Sequence, residues 1–138
     1  MMYVRVKTSF EAMHCWPQAP DIDSYLSAPH RHLFTVDLRL EVKHDDRDIE
    51  INALKRWIDK YVKYNITDAP FWEGKRAPQA VGEAQEFGEV PNLGALSCEQ
   101  IATRIASAVR ARFSTAGDRE IWCEVLEDGL LGGGVTFP

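Results

Sequence analysis

Three of the chain's four histidines stand where their side chains could share one ion. His14 closes the segment Phe10-Glu11-Ala12-Met13-His14, and His30 and His32 flank Arg31 at the head of another extended segment. Two residues at i and i+2 of a strand point to the same side of a sheet. Three neutral imidazoles on zinc leave its fourth tetrahedral position open, the pattern of a catalytic rather than a structural site. Zinc held in this way lowers the pKa of bound water to about 7 or polarises a substrate oxygen. An HxH pair alone fits ordinary half-buried histidines as well. The third histidine, of matching face, is what brings the metal reading level with that one.

The positions of these histidines depend on the elements around them. Residues 2–14 alternate, with Val4, Val6, Phe10, Ala12 and His14 on one side and Arg5, Lys7, Ser9 and Glu11 on the other. Residues 32–43 alternate in the same way, His32 sharing parity with Phe34, Val36, Leu38 and Leu40. Both patterns predict strands with one buried face, the histidines lying at the end of that face. Pro17 to Pro29 between them reads as a broad loop. Leu54, Trp57, Ile58, Tyr61 and Val62 recur at helical spacing. Ser97 and Gln100 form a capping-box pattern ahead of the stripe Ile101, Ala102, Ile105, Val109 and Phe113. Residues 120–127 read as a third strand, Gly129 to Gly134 as a return, and Val135 to Phe137 as a short edge strand. The order is strand–strand–helix–helix–strand–strand. It predicts a single α+β domain over 1–138, with a four-stranded antiparallel sheet and two helices on one face. The proline- and glycine-bearing segment 65–96 is long for a structureless loop, and with Phe71, Trp72 and Phe87 it reads as a lid or an intersubunit arm.

Composition narrows the function. Net charge is −5, the wrong sign for a general nucleic-acid binder. No run reaches the roughly 18 apolar residues of a membrane helix. Cys15, Cys98 and Cys123 are odd in number and form no CxxC pair, which suits a reduced, cytoplasmic protein. A small-molecule ligand or a protein partner is expected.

Other residues have two readings each. Glu127 shares parity with Ile121, Cys123 and Val125, so its carboxylate ends an apolar face; it either binds an NH–NH₂ edge such as that of guanine-like rings or turns to solvent. Glu99 is explained by the helix dipole alone. Cys15 is a nucleophile or an inert thiol turned from the metal face by strand parity. His44 reads as a solvated turn residue. Asp21 and Asp23 lie in the loop before the histidine pair, where they either supply a base to the site or sit in solvent.

Five segments then fall in one order: Phe10-x-Ala12-x-His14; His30-Arg31-His32; Leu54-Lys55 after an acidic turn; Ser97-x-Glu99-x-x-Ala102; and Val125-x-Glu127. Together they resemble the 6-pyruvoyl-tetrahydropterin synthase and 6-carboxy-tetrahydropterin synthase family, which has the T-fold (tunnelling fold). The resemblance implies Zn²⁺ on His14, His30 and His32 and a pterin or similar ring anchored by Glu127, with Glu99 and Ser97 at the same ligand site. It also implies a homo-oligomer closed into a barrel, with sites between subunits. In the family, zinc holds the side-chain hydroxyls of dihydroneopterin triphosphate ahead of triphosphate elimination. This chain departs from the family in its bases. The family cysteine before its H-G-H motif has no counterpart in Ser24 to Pro29, and the family L-D-H motif aligns with Thr67-Asp68-Ala69, which keeps only the aspartate. Arg31 replaces the glycine of H-G-H and could bind a phosphate.

The leading expectation is therefore a zinc-dependent enzyme acting on a phosphorylated pterin or purine-type compound. Asp68, Asp23 or Asp21 would be its stand-in base. The alternative is a non-catalytic protein that captures a purine-like or nucleotide ligand, and a third reading is an oligomer in which zinc only pins the strands.

Overall fold

Alternation along the first forty residues is realised as the two longest strands, β1 (Met2–His14) and β2 (His30–Val42). They pair antiparallel over their whole length, from Met2 opposite Val42 to His14 opposite His30. β3 (Ile121–Glu127) pairs with β2, and β4 (Leu131–Phe137) with β3, giving an open antiparallel sheet in the order β1-β2-β3-β4. This computed structural model describes residues 1–66, 91–114 and 119–138. The helices are α1 (Ile51–Tyr64) and α2 (Cys98–Phe113), with a short 3₁₀ helix over Asp21–Ser27. The fold is α+β, and among the described residues no helix is long and apolar enough to cross a membrane.

One face of the sheet builds the core. Phe34, Val36, Leu38 and Leu40 of β2 are fully buried, as are Ile121, Cys123 and Val125 of β3. Leu54, Ile58 and Val62 of α1 and Ile101, Ile105 and Val109 of α2 cover them. A fully buried aliphatic side chain contributes roughly 1.5–3 kcal/mol, so this layer dominates the stability. Both helix starts are satisfied locally. Ser97 Oγ accepts from the Gln100 amide at 3.2 Å while Gln100 Oε1 accepts from the Ser97 amide at 2.9 Å. At α1, the Glu50 carboxylate accepts from the amides of Asn52 and Ala53.

β2 begins at His30, so both of its histidines lie at the head of the paired strand, where their spacing put them. One expectation is corrected. The glycines at 132–134 belong to β4 rather than to a return, and the reason is close approach. A Cβ on Gly132 would sit 1.8 Å from the Val125 carbonyl oxygen, and one on Gly134 2.5 Å from that of Cys123. The described end of the 65–96 segment, residues 91–96, is tied to the end of β1. Met13 donates to the Pro91 carbonyl at 2.9 Å, Leu93 donates to Met13 at 2.7 Å, and Leu93 and Leu96 are buried. Residues 67–90, including Asp68, Phe71, Trp72 and Phe87, lie outside the described residues.

The acidic turn after β2 is tied to the start of β3. Arg119 donates to Asp48 through Nη1 at 2.7 Å and to the Glu41 carbonyl at 3.0 Å, and the Lys43 amide donates to Asp48 at 2.7 Å. The Arg119 guanidinium, then the Lys43 amide, bring the Asp48 carboxyl from its ordinary 3.8 down to about 2. A carboxylate with a depressed folded pKa stabilises the fold above its unfolded pKa and loses that contribution as pH falls through the folded value. Asp48→Asn should therefore lower the melting temperature at neutral pH. The gap to wild type should narrow below pH 3.8 and close near pH 2, as followed by circular dichroism melts across that range.

Candidate metal centre and ligand cavity

The β1–β2 register places His14 opposite His30 and Ala12 opposite His32, so all three imidazoles leave the core face at one end of the sheet. Their ring centroids are 4.6, 4.9 and 5.2 Å apart. Fully buried Phe34 lies beneath them, edge-on to His14 at 5.1 Å and to His32 at 5.8 Å. One nitrogen from each ring can be chosen so that all three lie within 4.8 Å of one another, a group able to hold a metal ion.

The partners of the other nitrogens decide which atoms are free. His14 Nδ1 is 3.2 Å from the Leu96 carbonyl, and His30 Nδ1 is 2.9 Å from that of Ala28. His32 Nδ1 is 2.7 Å from the Asp128 carboxylate. These acceptors cannot donate, so each Nδ1 carries the proton and each neutral ring presents a bare Nε2. The Nε2 atoms of His14 and His32 are buried and have no hydrogen-bond partner. Burial, helped by the neighbouring imidazoles, pushes His14 below its usual 6.5 against the opposing pull of Leu96 and Glu127, favouring the ligating neutral form. The hydrogen bond from His32 holds the Asp128 carboxyl below its ordinary 3.8.

Glu127 completes the cluster. Its Oε1 is 3.2 Å from His14 Nε2 and its Oε2 is 3.6 Å from His32 Nε2. A carboxylate facing imidazole lone pairs at these distances is unfavourable without a cation or a shared proton between them. The donor set, its orphaned nitrogens and its acidic neighbour all fit a divalent cation.

A cavity of about 430 Å³ opens beside the histidines. Trp16, Leu26 and Leu131 form apolar walls, and Ser97, Cys98, Glu99 and Glu127 supply its polar groups. Ser97 Oγ is committed to capping α2. Glu99 rests against β4 where Gly133 leaves space, since a Cβ there would meet its Oε1 at 2.4 Å. Cys98 Sγ lies 3.8 Å from Glu127 Oε1. Burial, then the charges of Glu127 and Glu99, push this thiol up to about 12. Cys15 also lines the cavity: β1 ends at His14, so strand parity does not carry on to turn it away. Burial raises its pKa as well, which matches the reading of an inert thiol.

Three expected site residues do not line the cavity. Arg31 stands between His30 and His32, so the pleat turns it to the opposite face, where it pairs with Glu11. Asp21 is exposed and Asp23 half-buried on the 3₁₀ helix, and of that helix Leu26 is the residue lining the cavity. Asp68 is outside the described residues. Spacing alone missed Asp128, the Leu96 carbonyl and Cys98. The Asp128-Gly129 turn signal after β3 was the one available clue to the first.

No family model matches the chain, and no curated protein matches its sequence. Among solved structures, the fold is similar to the crystal structure of an uncharacterized protein, WS1659, from Wolinella succinogenes. The two superpose with a TM-score of 0.55 at 16% identity, over 100% of each chain. At that identity the likeness is one of fold.

Zinc titration checks the centre directly. The purified chain stripped of metal should take up one equivalent of Zn²⁺ by calorimetry. Replacing His14, His30 or His32 by Ala should weaken uptake by more than the roughly 10–100-fold that loss of an outer-shell partner costs.

Proposed function

We propose that the cavity is the site of a zinc-dependent, pterin-synthase-like enzyme acting on a pterin or purine-type compound. The observation that supports this most is the convergence of three histidines whose Nδ1 atoms are all committed, leaving Nε2 as the ligating atom. Zinc on these residues would supply a Lewis acid for a substrate hydroxyl or carbonyl oxygen.

The rest of the reading concerns this chain's own side chains. Glu127 and Glu99 present carboxylates to a cavity with apolar walls, a combination suited to a flat ring with NH and NH₂ groups on one edge. Glu127 also stands close enough to His14 and His32 to accept a proton from a ligand held beside them. The ordered resemblance to the tetrahydropterin synthase family supports the ring class. Among the described residues, β4 and most of β1 beyond Met13 have an unpaired outer edge, and Ile22, Tyr25, Leu130 and Leu131 are exposed, which supports assembly into a homo-oligomeric T-fold barrel. A second reading, a non-catalytic binder of purine-like or nucleotide ligands, is favoured by one observation. Both cavity thiols are held protonated, so neither replaces the thiolate base of the family.

Zinc-loaded protein incubated with dihydroneopterin triphosphate and a nucleotide panel, followed by mass spectrometry, separates the two. New product that disappears in His32→Ala supports the enzyme, whereas unchanged ligand recovered on the protein supports the binder. If neither product nor bound ligand is found, both readings fall. For whichever ligand binds, Glu127→Gln should weaken affinity about 10–100-fold, the range expected for losing a charge-assisted hydrogen bond. Gly133→Ala should weaken it too by displacing the Glu99 carboxylate, with the zinc stoichiometry unchanged.

A further inference from the structure

Asp128 follows Glu127 in the turn between β3 and β4 and has no part in the ring-binding scheme. Its backbone is in the left-handed region, φ 52°, a conformation that favours glycine and that aspartate tolerates better than most residues. Local hydrogen bonds hold it there. Its amide donates to the Leu33 carbonyl at 2.8 Å, and its Oδ1 accepts from the Leu33 amide at 3.1 Å. That brace leaves Oδ2 aimed at His32 Nδ1, 2.7 Å away.

The three histidines are consequently unequal. His14 and His30 donate to neutral backbone carbonyls at 3.2 and 2.9 Å, and His32 donates to a carboxylate at a shorter distance. A hydrogen bond to an ionised acceptor is roughly twice as strong as a neutral one, and it raises the basicity of the opposite ring nitrogen. We propose that Asp128 is a positioning residue that locks the tautomer and rotation of His32 and makes it the strongest of the three donors, so that this turn sets the affinity of the centre for a divalent cation. The proposal rests on the metal reading of the three histidines.

The test uses Zn²⁺ alone as ligand, with wild type, Asp128→Asn and Asp128→Gly compared by calorimetry and by ¹⁵N imidazole spectra of the metal-free proteins. Asparagine tolerates the left-handed turn, but its amide can donate to Nδ1 and move the His32 proton to Nε2. Glycine fits the turn and removes the acceptor, and metal-free melts report whether each variant folds. Both variants should bind Zn²⁺ about 10–100-fold more weakly. His32 should lose its single Nδ1–H tautomer while His14 and His30 keep theirs, a selective change that general loosening of the turn would not produce. Wild-type Zn²⁺ affinity in both folded variants, or an unchanged His32 tautomer, overturns the role of Asp128 and leaves the metal centre standing. A wild type that takes up no Zn²⁺ overturns the metal centre, and the proposal with it.

Discussion

The antiparallel register between β1 and β2 is the constraint on which the site depends. It aligns thirteen residue pairs, and the ring of Phe10 stacks on that of Phe34 at 5.6 Å on the core face. Side chains alternate with a period of two, so a slip of one residue would send one strand's apolar set to the opposite face. The same slip would separate His14 from His30 and His32. Burial of Phe34, Val36, Leu38 and Leu40 therefore fixes the histidine cluster without any direct contribution from the imidazoles themselves. Core packing and site geometry are one energetic decision.

A second coupling runs through charge. The histidines rest on Phe34 at the edge of the core, where burial keeps His14 neutral and its lone pair available. Glu127 shares that space, and its charge helps to push Cys98 up to about 12. The carboxylates that make the cavity receptive to a cation or to ring NH groups thus deny it a thiolate. One electrostatic environment favours one kind of chemistry and suppresses the other.

Much of this was legible in the sequence because it followed from periodicity. Alternation located β1 and β2 and put the histidines on the core face; the capping box located Ser97 at the start of α2. Arg31 was legible too, since a residue between two inward histidines must point outward, yet its charge in place of a glycine suggested a ligand role. What periodicity could not reveal were contacts made across long stretches of chain. Leu96 reaches His14 because residues 91–96 hydrogen-bond to the end of β1 some eighty positions earlier. Asp128 reaches His32 because a left-handed turn reverses the chain directly after β3. The glycines of β4 resembled turn residues, and only the closeness of the β3 backbone explains them.

The distribution of these contacts bears on the chemistry the site can perform. A shared fold at 16% identity shows that this architecture survives extensive change of sequence, so function has to be argued from particular atoms. Among the described residues of the cavity, both thiols are protonated, Ser97 is tied to its helix, and the Nδ1 protons of the histidines are bound to fixed acceptors. Glu127 differs from all of them: it is partly exposed, borders the open cavity, and faces the ligating nitrogens of two histidines. A cation on those nitrogens would relieve the repulsion it now meets. A proton removed within this described part of the cavity would therefore pass to a carboxylate rather than a thiolate. In the enzyme proposed above, a substrate acid would have to be one that a bound cation makes substantially more acidic, because a weak carboxylate base contributes little driving force of its own.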